Sequence, residues 1–489
     1  MNRKRSLAFL AAALVGGSLG CSQLRPARAI ADGSPPSPSA PWNPPPEAQA
    51  EQKPTPPPPI PEKYRREKTV LSLAEVIDIA LRNNPVTRNS WAQARSAAAV
   101  LGQKRSQYYP EIDVGGNVTR QKATTFGGAS TFFQTTYGPS ASLSWLLLDF
   151  GGRAGDIEEA RQALFAADWT HNAALQTVVL QVTSAFYAYG NAKELLVAQE
   201  ASVAESQRNY DAANERHAAG VATIADVLQA RTALSQDTLS LETVRGQIQT
   251  IRGQLATALG VPANIPVEIA DLPESIDVEH VTASIDALID EAQKERPDLG
   301  AARAQAEKAR AHIGTARGEL LPTISAFGSA NRFSYASPGG VPYRTTYTGG
   351  IQLSVPVFDG FRRVYDVRQA EEDARAARAQ AETLEQQVIL QVWTSYYDVR
   401  TAAQRVQTSR DLLDSARQAA EVTAGRYKSG VGSILDLLTA QRNLALARAQ
   451  DVQARSDWYQ SVAQLAHDTG VLLPPSPPAA GTPAGKDNP

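Results

Sequence analysis

The sequence predicts a mainly α-helical fold with a β-barrel part, made of two duplicated halves that each hold long antiparallel helical hairpins and one β-hairpin. The first observation is a repeat at an offset of 210 to 212 residues, in which Pro110 recurs as Pro322 and Gly220-Val221 as Gly430-Val431. The second is the period of the apolar residues, which is helical over most of the chain and changes to two after each of these prolines. A repeat of this length is a structural half, not a solenoid unit.

The composition leaves room for a large core and does not suggest a nucleic-acid partner. The 489 residues are 43% hydrophobic and carry a net charge of -2. Surfaces that bind phosphate backbones are basic, so a mildly acidic chain is a poor candidate for that role.

The amino-terminal residues predict export. Residues 1–20 combine a basic start with a short apolar run, as secretory signal peptides do. The single cysteine, Cys21, follows this run directly, so we expect lipid attachment (palmitate) there and a lipid-anchored Pro-rich linker over residues 21–70. Cleavage after Ala29 is the alternative, and it would discard Cys21 with the signal.

Each half is expected to begin with two shorter helices. Ser72 and Glu75 form a capping-box pattern before an amphipathic run that ends at Pro85. Its counterpart runs from Ile285 to Lys294, and a second helix follows in each half until Pro110 or Pro322 interrupts it. The predicted divisions are a first repeat over 71–262, a connector over 263–282, a second repeat over 283–473 and a disordered tail over 474–489.

One β-hairpin follows in each half, at about 111–148 and about 323–358. The predicted return strands are Ser140 to Leu148 and Gly350 to Phe358, after Gly/Ser/Thr-rich loops. Aromatic residues gather beside these loops, which is typical of a membrane–water boundary, although packing within surface loops is the alternative. They are Phe126, Phe132, Phe133, Tyr137, Phe333, Tyr335, Tyr343 and Tyr347.

The longest helical patterns come next, from Arg153 to about His217 and from Arg363 to about Tyr427. At about 1.5 Å per residue each makes a rod of roughly 100 Å. Each rod turns at a glycine and returns as a shorter helix, Ile224 to about Leu259 or Ile434 to about His467. An ordinary soluble coiled coil would have the same pattern.

The number of strands limits the possible barrels. A transmembrane barrel needs about eight strands to close, because open edges leave backbone amides unpaired in lipid. Two hairpins supply four strands per chain, so either several chains share one barrel or the hairpins pack on something soluble.

At this point the sequence resembles the outer-membrane efflux proteins of the TolC type, over about residues 71 to 472. The resemblance is most specific at the strand-to-helix junctions, Leu148 to Arg153 and Phe358 to Arg363, and at the second turn, Arg426 to Gln441, with its weaker copy Glu215 to Arg231. It implies a homotrimer with a 12-stranded barrel in the outer membrane lipid and an α-helical tunnel in the periplasm. It also implies a periplasmic adaptor and an inner-membrane pump as partners.

The resemblance implies roles for residues at the hairpin tips. Gly220-Val221 and Gly430-Val431 would be adaptor-docking turns. Asp436, Asp226, Tyr427 and Thr439 would form the channel gate, with Asp436 in a carboxylate ring around the axis and Tyr427 as the lock tyrosine. Thr439 stands where the best-known member of the family has a second acidic ring residue, and Gly432 stands where that member has a locking arginine. Asp226 taken alone has an alternative role as an ordinary surface residue of a helix.

No catalytic, cofactor or metal site is expected. The five histidines are far apart in sequence, no cysteine stands near them, and phosphate-loop and nucleophile-turn motifs are missing. The alternative to a channel is a non-conducting, lipid-tethered periplasmic coiled-coil scaffold. If the protein is a channel, the sequence does not separate efflux from protein secretion.

Overall fold

The computed structural model describes residues 70–124, 131–272, 284–335 and 343–471. These all belong to one structural unit, Pro58–Pro489, and the other unit, Met1–Pro57, lies outside the described residues.

Several predicted features also lie outside the described residues. They are the signal peptide, Cys21, nearly all of the linker 21–70, the later part of the connector, the tail 474–489 and Phe126.

Two short helices, a β-hairpin and two long helices follow one another in each half. The first half contains β1 (Val70–Leu71), α1 (Leu73–Asn83), α2 (Pro85–Ser106), β2 (Glu111–Thr124), β3 (Thr131–Leu148), α3 (Gly152–Ala218), α4 (Ile224–Ala258) and β4 (Glu268–Ile269). The second half contains α5 (Ile285–Glu295), α6 (Pro297–Gly318), β5 (Thr323–Tyr335), β6 (Arg344–Ser354), α7 (Arg362–Lys428) and α8 (Ile434–Asp468).

The predicted capping box of α1 is confirmed. The Ser72 hydroxyl accepts the Glu75 amide at 3.4 Å, and the Glu75 carboxylate accepts the Ser72 amide at 3.1 Å. This start aims Val76 and Ile79 into a core with Val182 of α3, and all three are buried. A short parallel pair, β1 with β4, closes the same region. This pair is not predicted by the sequence, because two residues per strand carry no periodicity.

The four longer strands form one antiparallel sheet in the order β2-β3-β5-β6. Its register places most apolar residues on one face of the sheet and most polar residues on the other. The apolar face holds Ile112, Val114, Val118, Leu143, Trp145, Ala326, Tyr347, Ile351 and Leu353, and the polar face holds Glu111, Asp113, Asn117, Ser142, Ser329, Thr348 and Gln352. Most large side chains of the apolar face are exposed, for example Val114 at 80%.

The predicted strand bounds need correction. β3 begins at Thr131, well before the predicted Ser140, and β6 covers Arg344–Ser354 in place of Gly350 to Phe358. The stretches taken as loops are therefore largely strand. Their Gly and Ser residues have weak strand preference alone, and pairing with neighbouring strands extends the ladder through them. After Ser354, Pro356 cannot donate to a ladder, which explains the early end of β6.

The two long helices α3 and α7 have 67 residues each, so each spans about 100 Å. α3 packs against α2, α4, α6 and α8, whereas α7 packs against α5, α6 and α8. The start of α3 approaches the end of α6 backbone to backbone. A Cβ added at Gly155 would lie 2.5 Å from the Thr315 nitrogen, so only glycine permits this crossing. None of the helices in the described ranges has the continuous apolar stretch that a membrane-spanning helix needs.

Candidate functional site

Short turns connect the long helices to their return helices, and both turns use glycine in the left-handed conformation. Gly220 has φ of 76° and Gly430 has φ of 79°. The amides of Gly220 and Val221 donate to His217 and Arg216 carbonyls at 2.9 Å, and the second turn repeats this pattern. The amides of each turn thus bind the last carbonyl groups of the long helix. The side chains of Val221 and Val431 are 66% and 70% exposed.

The return helices α4 and α8 begin alike, but their acidic residues differ in what they bind. The carboxylate of Asp226 accepts the Thr223 amide at 2.8 Å and the Thr223 hydroxyl at 2.9 Å, which completes a capping box. At the start of α8, the Asp436 amide donates to the Ser433 hydroxyl at 3.1 Å. No partner is found for the exposed Asp436 carboxylate within the described residues. Of these two acids, Asp436 is therefore the one whose carboxylate has no described partner and is free for a ligand ion.

Tyr427 is 8% exposed and is held by Arg216 from the other half of the chain. Nη1 of Arg216 donates to the Tyr427 carbonyl oxygen at 2.8 Å. The guanidinium carbon also lies 4.6 Å from the centre of the Tyr427 ring, a cation–π contact. Arg216 thus ties the end of α3 to the end of α7.

A hydrophobic cluster joins the two hairpin tips beside this contact. It contains Ala213, Val227, Ala230, Tyr427, Ile434 and Leu437, contributed by α3, α4, α7 and α8. Because both halves supply residues, the tips of the two hairpins pack as one body in the single chain.

Gly432 has little room for a side chain. A Cβ there would lie 3.0 Å from the Tyr427 nitrogen and 3.1 Å from atoms of Arg426. The close approach of the turn to the end of α7 gives a physical reason for glycine at this position.

Thr439 is exposed one helical turn after Asp436, and both line an open groove between α7 and α8. The groove has a volume of about 690 Å³, and Leu412 and Leu435 form part of its wall. Apolar residues in an open groove of the single chain indicate a surface that another helix can cover.

Polar contacts continue along the α3–α8 interface away from the tips. Asn209 bonds to Gln441, Glu205 pairs with Arg448 at 3.3 Å, Glu194 pairs with Arg455 at 2.6 Å, and Asn191 bonds to Gln453 at 3.1 Å. The two hairpins are therefore linked at intervals along their length.

Glu194 has a shifted pKa within this interface. Burial raises the pKa of Glu194 above its usual value of 4.5, and the charge of Arg455 beside it offsets part of that rise. The carboxylate therefore takes up a proton more easily in the folded protein than in the unfolded chain.

The strand-to-helix junction of the first half is pinned by Arg153. This side chain is buried, pairs with Asp149 at 3.3 Å and donates to the Leu146 and Leu147 carbonyls at 2.7 and 3.0 Å. In the second half, Arg363 pairs with Asp359 at 3.3 Å. The recurring Asp and Arg thus form an ion pair at the start of each long helix, and in the first half the Arg also binds the end of β3.

The predicted site residues come together in part. Gly220, Val221, Gly430 and Val431 form the two turns, and Asp226, Asp436, Thr439 and Tyr427 lie within about two helical turns of them. Arg216 was not predicted as a site residue, because in sequence it looks like an ordinary basic residue in the last turn of a helix. Among the described residues, no group of three or more His, Cys, Asp and Glu side chains could hold a metal ion.

Comparison with known proteins gives one family for both halves. The sequence model of the family described as "Outer membrane efflux protein" matches residues 76–261 and 288–471. Protein CyaE of Bordetella pertussis is 27% identical over 412 residues, which cover 83% of this chain and 85% of that one. Outer membrane protein TolC of Salmonella enteritidis is 24% identical over 413 residues, 82% of each chain.

Solved structures share the fold. The crystal structure of the outer membrane protein VceC from Vibrio cholerae has a TM-score of 0.70 and 19% identity, and the match covers 81% of this chain and 96% of that one. The mainly helical fold with a β-barrel part is thereby confirmed.

Proposed function

Because the chain belongs to the outer membrane efflux protein family, we propose that it is the outer-membrane channel of a tripartite efflux or type I secretion system. It resides in the outer membrane and extends into the periplasm. Substrates pass through it from an inner-membrane pump and a periplasmic adaptor to the outside, without chemical change. The family is one of channels and not of enzymes.

The observation that carries this proposal is the sheet with two unpaired edges. The sheet is β2-β3-β5-β6, so the outer edges of β2 and β6 have no partner strand among the described residues. In lipid, unpaired edges are costly, and a barrel removes them by closing. With four strands per chain, three copies make a 12-stranded barrel with its apolar face toward lipid and its polar face toward an open lumen.

The hairpin tips are proposed to gate this lumen. A three-fold axis would gather the free Asp436 carboxylates into a ring, which repels itself and attracts cations. Thr439 on the same groove adds no charge, so the ring is less acidic than in relatives with two acidic positions. The capping role of Asp226 favours the alternative reading of that residue, as part of the helix start and not of the gate.

Arg216 and Tyr427 are proposed to hold the closed state in place of the arginine that Gly432 replaces. Their contact crosses from one half of the chain to the other, so it resists separation of the two hairpins. The exposed turns at Gly220-Val221 and Gly430-Val431 are proposed to dock the periplasmic adaptor.

The remaining proposals concern organisation. The two repeats are proposed to span 71–262 and 283–473, which agrees with the two matched ranges of the family model. Residues 1–20 are proposed as the signal peptide and Cys21 as a lipid attachment site, which labelled fatty acid and a Cys21→Ala variant would test.

Single-channel recording tests the proposed function. Detergent-purified protein is inserted in a planar bilayer, and its oligomeric mass is measured on the same sample. A conducting complex with the mass of three chains is expected. A non-conducting protein that extracts without detergent would instead support the scaffold.

A further inference from the structure

The two β-hairpins carry their acidic and basic residues at opposite ends of the strands. The only acidic residues of the hairpins, Glu111 and Asp113, lie at the end next to the helices. All four basic residues lie toward the hairpin loops, at Arg120, Lys122, Arg332 and Arg344. One end of the sheet is therefore cationic and the other is anionic.

The register assigns these cations to faces. Arg120 and Lys122 follow the even-numbered series of Ile112, Val114 and Val118 and so lie on the apolar face. Arg332 pairs with Thr345 in the same series as Ala330 and Tyr347, which is also the apolar face. Arg344 pairs with Phe333 and lies on the polar face. Three of the four cations thus stand on the mainly apolar face.

Aromatic rings support two of these three cations. The Arg120 guanidinium carbon is 5.3 Å from the centre of the Phe133 ring, and that of Arg332 is 4.9 Å from the centre of the Tyr343 ring. Tyr343 also packs edge-on against Tyr137 at 6.4 Å. A guanidinium stacked on a ring keeps its N–H groups free at its rim.

Within the described part of the chain, no hydrogen bond or ion pair engages the side chains of Arg120, Lys122 and Arg332. Their positive charge is thus uncompensated by the described residues. The complementary ligand chemistry is a group with several negative oxygens, because a guanidinium binds such groups with two parallel hydrogen bonds.

The depth of the cations agrees with a lipid headgroup. Arg120 is eight residues beyond Ile112, about 26 Å along the strand at about 3.3 Å per residue. With a strand tilt of about 40°, this is about 20 Å along the membrane normal, close to the height of an apolar barrel band of about 25 Å. The long side chains then reach the boundary between hydrocarbon and headgroups.

We propose that Arg120, Lys122 and Arg332 form a basic belt that binds the phosphate groups of the phosphorylated glycolipid in the outer leaflet. This inference rests on the proposed function, which places the hairpin loops outside and the helices in the periplasm. Each chain of a trimer contributes one such set, so the belt surrounds the barrel at the outer-leaflet boundary and fixes its depth.

The test measures binding of bisphosphorylated lipid A to the delipidated, detergent-purified full chain by native mass spectrometry. The triple variant Arg120→Gln, Lys122→Gln, Arg332→Gln removes the belt. The single variant Arg332→Gln is compared with Arg344→Gln, which removes the same charge from the neighbouring position on the polar face. Phosphatidylglycerol serves as the second lipid probe.

Lipid A should bind the triple variant at least about tenfold more weakly than it binds the unaltered chain. It should also bind the Arg332→Gln variant more weakly than the Arg344→Gln variant. Binding to the Arg344→Gln variant should match binding to the unaltered chain. Equal losses in Arg332→Gln and Arg344→Gln would overturn the belt. Phosphatidylglycerol binding as tightly as lipid A would overturn the glycolipid as its ligand.

Oligomeric mass and conductance are read on the same samples. If the unaltered chain forms a conducting trimer but binds lipid A no better than the triple variant, the belt is wrong and the proposed channel stands. A protein that forms no trimer and conducts no ions would reject the proposed function itself.

Discussion

Single residues at the hairpin tips take different tasks although duplication made them equivalent. Asp226 and Asp436 occupy the same place at the start of α4 and α8. The Asp226 carboxylate accepts hydrogen bonds from Thr223, whereas the Asp436 carboxylate has no described partner. A local hydrogen bond thus separates a structural acid from a candidate gate acid, and the pair forms its own control.

Replacing each acid by alanine should affect a different property, cation block for Asp436 and helix stability for Asp226. Asp436→Ala should weaken block of the channel by divalent cations about tenfold and destabilise its helix by only about 0.5 kcal/mol, because the lost first-turn charge accepts no hydrogen bond. Asp226→Ala should leave the block unchanged and destabilise its helix by about 1 kcal/mol, because a capping box is lost. Conductance titrations with magnesium and thermal melts check both, and identical block in the two variants would contradict the assignment.

Arg216 offers a second matched pair at this scale. Arg216→Ala removes a cation–π contact and a charged hydrogen bond to Tyr427, together worth about 2 kcal/mol, so the open fraction should rise more than tenfold. Arg426, its counterpart in the second half, is exposed at the end of α7. Arg426→Ala should leave the open fraction unchanged. Single-channel recordings that show equal effects for Arg216→Ala and Arg426→Ala would contradict the proposal that Arg216 holds the closed state.

At the scale of the elements, the α3–α8 interface determines how easily the two helical hairpins separate. α3 meets α8 through polar pairs spaced from Asn191–Gln453 to Asn209–Gln441, and through the tip cluster around Tyr427. Side-chain pairs of this kind can separate without exposing a large apolar core. The apolar cluster at the tips is also much smaller than the core around Val182 and Leu255, so we expect opening to start at the tips and to cost less there.

Glu194 gives this interface a pH dependence. Its folded pKa is raised above 4.5, so its contribution to stability is fully present below about pH 4.5 and is lost as pH rises through the folded pKa. Glu194→Gln mimics the protonated group at every pH. The variant should therefore gain stability relative to the unaltered chain as pH rises from 4 to 7, in helical unfolding followed by circular dichroism. A gain at low pH instead would reverse the predicted sign.

The helices were predictable from sequence to within about two residues, because caps, prolines and turn glycines mark their ends. Ser72, Pro85 and Gly220 each act within their own segment, so a local pattern was enough. The bounds of β3 and β6 depend on pairing with strands from elsewhere, and the sequence alone placed their ends badly. Arg216 was missed for the same reason, since its partner Tyr427 is far along the chain.

At the scale of the whole molecule, the outer edges of β2 and β6, which have no partner strand among the described residues, are the central feature. They flank one sheet with an apolar and a polar face, and the proposed closure by three copies would leave no edge in lipid. The proposed gate at Asp436 and Tyr427, the proposed Arg216–Tyr427 contact and the proposed basic belt would all act within that assembly.

Disulfide cross-linking between these edges tests the shared barrel most directly. In a Cys21→Ala background, Asn117→Cys in β2 is combined in turn with Thr346→Cys, Thr348→Cys, Gly350→Cys and Gln352→Cys in β6, all on the polar face. Facing positions on paired strands are close enough for a disulfide, so one register should cross-link on mild oxidation. We expect a denaturing-gel ladder that ends at three chains and only single chains when either cysteine is absent. A ladder that ends at two or four chains, or no cross-link at any position, would contradict the trimeric channel.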